Sequence, residues 1–307
     1  MLAGLAVHCV TGLTTPSGVV RLTDAASRRP VLLVGTMHYN PYSVRIVEGT
    51  VRATSRQRGL HATAIELCPS RWNSTAAACW QTKRLERIPS YERLLSEDEF
   101  QVAFESAISC GLSDVVLADQ PIALTGRRLG AALAQTAVDL LSPAGWQRVA
   151  VDLQTAARQL PTFARAAMSL PLTAGAPLAF LRYMYQSPAA LPFAVISGAA
   201  LAIAAAVDEA TGAVATPEDG VISALLALVV GRAAFVSLIE ERDRALASNI
   251  RRACLAEAAS SDDSSSEGAT VVAVLGIAHL AGVRSLLLGL SDLSDLSSHT
   301  QTDETEM

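Results

Sequence analysis

Two stretches far apart in the chain share one pattern, and that pattern restricts the fold more than any other feature. Residues 31–38 read VLLVGTMH and residues 272–279 read VAVLGIAH: four apolar residues, then Gly-x-x-His. Continuous apolar runs of this length predict strands buried on both faces, the kind found in parallel sheets covered by helices. On that reading each glycine marks a strand's exit, and His38 and His279 lie just past the carboxyl ends. Open α/β sheets bind ligands in that place, so the two imidazoles are expected to face one crevice. The glycines would permit a turn that an ordinary side chain strains, and would let other groups approach the backbone.

The rest of the chain fits around these two strands. Residues 18–22 and 31–34 read as a hairpin turned by residues 24–30. Pro41 suits the first turn of a helix that continues over residues 42–55. Residues 62–67 are the next strand, so strand, helix and strand form a parallel crossover. An amphipathic helix over 97–110 precedes a buried strand at 115–118. From 122 to 258 the spacing predicts almost continuous helix, broken at Pro143, Pro161, Pro171, Pro177 and Pro188. A Ser/Asp-rich loop at 259–268, a strand at 271–275 and a short helix at 283–290 follow, then an acidic tail over 291–307 that has nothing to bury. The expected fold class is α/β: a central, mostly parallel sheet with flanking helices and a large helical segment inserted before the last strand. Residues 1–290 form one domain on this reading.

Composition excludes some functions. Half of the 307 residues are apolar, ample for a core, and only 17% are charged. Twenty-four basic against 29 acidic side chains leave a net charge of −5, with no Lys/Arg run, which argues against a nucleic-acid partner. Five cysteines (Cys9, Cys68, Cys79, Cys110, Cys254) without a C-x-x-C pair exclude a disulfide scaffold and a cysteine-based zinc finger. The mean hydropathy of +0.33 is high for a soluble enzyme. It is concentrated in residues 189–207, which carry no charge, and 221–239, which carry only Arg232. Both stretches approach the length of a bilayer span and offer a route to membrane association. Alanine contributes little insertion energy, so the competing reading is a pair of closely packed, buried Ala-rich helices. Residues 1–13 lack the basic flank of a secretory signal, so secretion is not expected; a membrane-associated or organellar (plastid or mitochondrial) location is compatible.

A third residue belongs with the histidines. Glu66 ends a strand in the run AIELC, and a buried carboxylate is costly unless a metal ion, a cation or hydrogen bonds compensate it. His38, Glu66 and His279 thus make a two-histidine, one-carboxylate set that leaves a coordination position for water or substrate. Asp119 either orients a histidine or caps the following helix, and the cap is favoured. Cys68 is a candidate nucleophile, but a cysteine there is more often a small buried hydrophobe. His61 is expected to be exposed, and His8 and His299 to lie in the ends. Tyr39, Tyr42 and Trp72 either line the mouth or simply pack.

At these residues the sequence resembles the TraB/PrgY/GumN family, related to the TIKI group of proposed metalloproteases and to the erythromycin-esterase and ChaN-like fold. LLVGTMHYNPYS resembles the family's first Gly-Thr-x-His block, and AIELCPSRW its Glu-bearing strand followed by an arginine, here Arg71. FQVAFESAISCGLSDVVLADQPIALTGRRL is similar to its middle helix, strand and Thr-x-Arg-Arg segment, which includes Arg128. LIEERDRALASNI resembles its late Glu-Arg-Asp helix, which includes Arg242, and VVAVLGIAHLAGV its closing block. The blocks come in family order from about residue 18 to residue 290. One departure is Gln120, where many members carry an arginine after the middle strand.

The resemblance implies a hydrolase, with a peptidase among the options, acting on a peptide or small molecule. His38, Glu66 and His279 would hold a divalent metal (Mn, Co or Zn) that activates water, and Arg242 or Arg71 would neutralise the oxyanion. Arg242 could equally form a surface ion pair with Glu240 or Glu241. Two further readings remain: a metal-free hydrolase with a histidine base positioned by the glutamate, and a non-catalytic, membrane-associated regulatory or haem/ligand-binding protein on the same scaffold.

Overall fold

The computed structural model describes residues 18–37, 40–72, 99–113, 115–169, 217–256 and 269–289. His8, Cys9, His38, Tyr39, Cys79, His299 and residues 189–207, 259–268 and 291–307 lie outside them, as do the breaks expected at Pro171, Pro177 and Pro188.

Five strands form one sheet: β1 (Val19–Thr23), β2 (Pro30–Thr36), β3 (Leu60–Ile65), β4 (Val116–Leu117) and β5 (Thr270–Gly276). The spatial order is β1-β2-β5-β3-β4. The β1–β2 hairpin is antiparallel and every other pairing is parallel. Helices α1 (Pro41–Arg58) and α2 (Glu99–Ser109) cover one face. Val47, Val51, Phe100, Ala103 and Ala107 pack there against Val34, Ile65, Val272 and Val274. On the other face, Leu246, Ile250, Val283 and Leu287 meet Val31, Leu33, Ala64, Val271, Ala273 and Leu275. These belong to α6 (Glu241–Leu255) and α7 (Leu280–Leu287). Alternate residues of β2 and β5 thus enter opposite cores, which is why both sequences read as unbroken apolar runs.

Local chemistry explains the element ends. The Asn40 side chain accepts from Tyr42 N at 2.9 Å and caps α1, with Pro41 in the first turn, where its missing N–H costs nothing. Gly35 does not end β2, which runs on through Thr36. Neither Gly35 nor Gly276 adopts a positive φ, so neither serves as a strained turn. Gly35 instead makes room: a Cβ there would lie 3.2 Å from Leu280 Cδ2 and 3.4 Å from Gly18 O. The β3 strand starts and stops earlier than the expected 62–67, so Glu66 and Leu67 fall just past its end. The β4 strand is only two residues long.

The parallel register carries a further correction. Val31 pairs with Val271 and Thr36 with Gly276, so the two Gly-x-x-His blocks lie one residue out of step. Because strand side chains alternate, matched motif positions point to opposite faces: Val34 faces α1, whereas its counterpart Leu275 faces α6. The blocks are similar in sequence without being equivalent in space.

The helical insertion comprises α3 (Ile122–Asp139), α4 (Pro143–Ser169) and α5 (Pro217–Ala234). The α4 helix continues through Pro161 instead of breaking there; a proline removes one backbone donor, and the turns on either side keep theirs. A π-helical segment, Phe235–Glu240, joins α5 to α6. Residues 221–239 therefore span α5 and this segment, and among the described residues no helix is long and apolar enough to cross a membrane. Arg232, the one charge in that stretch, is 8% exposed. Its Nη1 lies 2.8 Å from Asp139 Oδ2 and its Nε 2.7 Å from Asp152 Oδ2, tying α5 to α3 and α4. Arg148 also binds Asp139, at 2.6 Å. Arg232→Met is expected to lower the unfolding free energy by about 1–3 kcal/mol, since Asp139 keeps Arg148 while Thr136 and Asp152 lose a charged partner. Urea denaturation measures it, and an unchanged midpoint would show the cluster to be energetically idle.

Candidate functional site

The carboxyl ends of β5, β3 and β4 meet the start of α6, and a polar cluster fills that junction. Glu66, one residue beyond β3, is 3% exposed. Its Oε2 accepts from Gly276 N, at the end of β5, at 2.6 Å. Its Oε1 accepts from Arg242 Nη2. Asp119, two residues beyond β4, takes the other side of the same guanidinium: Arg242 Nε donates to Oδ1 at 3.1 Å and Nη2 to Oδ2 at 2.8 Å. Arg71, at the start of the helical turn after β3, reaches Asp119 Oδ2 at 3.4 Å. Burial alone would lower the Arg242 pKa, but Glu66 and Asp119 outweigh it and hold the guanidinium more firmly charged than usual.

His279 ends the 3-10 turn Ile277–His279 after β5 and is 3% exposed. Its Nδ1 lies 2.6 Å from Asp243 Oδ1 and its Nε2 3.4 Å from Glu66 Oε1. Burial opposes charging the ring, yet the flanking carboxylates of Glu66 and Asp243 prevail and raise its pKa above the ordinary imidazole value. Burial pushes the Asp243 carboxyl up to about 6, against the pull of His279.

Arg242 and Asp243 are neighbours in sequence that serve two different strand ends. Successive helical residues point about 100° apart, so one turn of α6 reaches both groups. A π segment lies immediately before α6; such segments are rare and recur at functional sites.

Of the residues singled out in the sequence, Glu66, His279, Arg242 and Arg71 therefore converge. His38, the third member expected of the His38–Glu66–His279 set, lies outside the described residues. Among the described residues no group of three or more His, Cys, Asp or Glu side chains is placed to hold a metal. The Glu66 carboxylate already faces a guanidinium, whose charge a dication bound there would have to oppose.

Several expectations need correction. Arg242 is no surface ion pair with Glu240 or Glu241; Arg244 pairs with Glu240, and Arg128 lies 3.5 Å from Glu241. Among the described residues Asp119 neither caps a helix nor bonds a histidine. Pro121 occupies the cap position of α3, and Asp243, which the sequence reading missed, takes the histidine. Its only signal was the Glu-Arg-Asp triplet. Gln120, where relatives of the resembled family carry arginine, is held by Arg128 Nη1 at 2.9 Å and donates to Thr125 Oγ1 at 3.0 Å. His61 is partly buried, not exposed, with Nε2 3.1 Å from Ala253 O, and burial, helped by Arg29, lowers its pKa. Cys68 is fully buried, as a small hydrophobe should be. Trp72 packs on Phe104, ring centroids 4.8 Å apart, beneath α2.

No family model, curated protein or solved structure matches this chain, and the chemistry of the site rests on its own geometry.

Proposed function

We propose that the protein is a hydrolase of the TraB/TIKI type, with His279 as general base at a site completed by Glu66, Arg242 and Arg71. The observation that supports it is a buried imidazole at the strand ends whose Nδ1 is held by the Asp243 carboxylate, 2.6 Å away, and whose Nε2 lies 3.4 Å from Glu66 Oε1. Nε2 would take a proton from a water molecule, and the resulting hydroxide would add to the acyl carbon of an ester or amide. The proton would then pass to the leaving group as the tetrahedral intermediate collapses. Arg242 is committed to two carboxylates, so Arg71, the more exposed of the two arginines, is the better candidate to face the oxyanion. Glu66 spends its oxygens on Arg242 and Gly276 N, which suits it to fixing the crevice more than to accepting the proton.

A metal-dependent version, with a divalent ion on His38, Glu66 and His279, is favoured by one observation. The 3.4 Å between Nε2 and Oε1 is a span that two bonds of about 2 Å can bridge. The two versions separate on a panel of activated esters and peptide amides, assayed before and after dialysis against a strong chelator. The metal-free reading expects turnover to survive chelation and to vanish in His279→Ala. Loss on chelation with recovery on adding Mn, Co or Zn transfers the reading to the metal site. No turnover by the intact protein on any member of the panel removes the hydrolase and favours a ligand-binding role on the same scaffold.

A further inference from the structure

We infer that Asp243 is a positioning residue that fixes the His279 ring in one tautomer, and that residue 282 is glycine because Asp243 occupies the space its side chain would need. The inference rests on the hydrolase reading only for its consequence; the geometry stands by itself. His279 lies between two carboxylates, Asp243 at 2.6 Å from Nδ1 and Glu66 at 3.4 Å from Nε2. A neutral imidazole has one N–H, and the nearer acceptor holds it. The proton therefore sits on Nδ1, and Nε2, on the Glu66 side of the ring, keeps its lone pair, the form a general base requires.

The second half comes from the other oxygen of Asp243. Asp243 is 1% exposed, and its Oδ2 has no hydrogen-bond partner among the described residues. A Cβ placed on Gly282 would lie 1.8 Å from that oxygen and 2.6 Å from the carboxylate carbon. Gly282 is the third residue of α7, and within a helix glycine is less favourable than alanine because it loses more backbone freedom on folding. Helical preference argues against glycine at this position, and the approach of the carboxylate from α6 accounts for it. The sequence Leu-Ala-Gly-Val after His279 thus encodes a slot for a side chain 39 residues earlier in the chain.

The test is nitrogen NMR of the full chain labelled in histidine, with the His279 signals assigned by their loss in His279→Gln, and read at a pH where the ring is neutral. The intact protein should show the proton on Nδ1. In Asp243→Ala the carboxylate left beside the ring among the described residues is Glu66, so the proton should move to Nε2. An unchanged tautomer overturns the positioning role, whether or not the protein hydrolyses anything. Gly282→Ala should lower the urea midpoint in the native background and leave it unchanged or raised in Asp243→Ala, because the added methyl then fills vacated space. Equal losses in both backgrounds overturn the packing claim. If Gly282→Ala alone fails to fold, a folded double variant supports the pairing and an unfolded one overturns it. A tautomer switch with no hydrolytic activity in any form leaves the clamp standing and removes only the hydrolase.

Discussion

Replacing Arg242 with alanine is expected to lower the unfolding free energy by about 3–5 kcal/mol, the usual range for removing one partner of a buried ion pair. The reason is arithmetic of charge. Glu66 and Asp119 are 3% and 6% exposed, and Arg242 bonds both. Without it, two buried carboxylates remain close together, with Arg71 3.4 Å from Asp119 and His279 3.4 Å from Glu66. Glu66→Gln and Asp119→Asn added to Arg242→Ala remove those charges and should recover much of the loss, since the damage comes from stranded charge more than from missing packing. Denaturant titration of the single and triple variants measures both. A single-variant loss below about 1 kcal/mol would place the pair in the range of exposed salt bridges and contradict its burial.

The second large effect concerns His279. His279→Ala should reduce kcat by about 10²–10⁴, the contribution of a positioned general base. The ring is flanked by Glu66 and Asp243 and approached by Arg242, and the carboxylates prevail, so its pKa lies above the ordinary value of about 6.5. The base-competent neutral form therefore grows as pH rises, and the acid limb of kcat/KM should have its midpoint above that ordinary value. Glu66→Gln removes the carboxylate on the Nε2 side, so the limb should move to lower pH. A limb that stays put, or moves up, is incompatible with a ring charged by Glu66. The linkage to folding has the matching sign. The raised pKa stabilises the folded state fully below about 6.5, and that contribution fades as pH climbs through the folded-state value.

Much of this was legible in the chain because buried parallel strands leave a plain record. The β2 and β5 runs, the crossover through Pro41 and α1, and the placement of His279 beyond a strand end follow from apolar periodicity, whereas Glu66, expected within its strand, falls one residue past it. Arg71 and Arg242 came from the resemblance, which assigned them no partners. What escaped was set by packing between distant segments. The one-residue offset between the two histidine blocks is decided by how β5 docks on β2, and nothing local specifies it. Asp243 escaped because its role depends on the rotation of α6, which follows a π segment. Asp119 was read as a cap since Asp before a helix usually is one; the guanidinium that claims it lies 123 residues away. Residues 221–239 approach a bilayer span in length with Arg232 as their one charge, and Asp139 and Asp152 make that charge a buried tie between helices.

The strand order has a consequence for synthesis. β5 lies between β2 and β3, and those two pair with it instead of with each other. As the polypeptide leaves the ribosome, β1 and β2 can close their hairpin early, yet the sheet's middle slot stays vacant until residue 276 has emerged. Until then the backbone edges of β2 and β3 are open to other strands, so nascent chains of this protein should depend on a chaperone that shields those edges, and truncations ahead of Thr270 should aggregate.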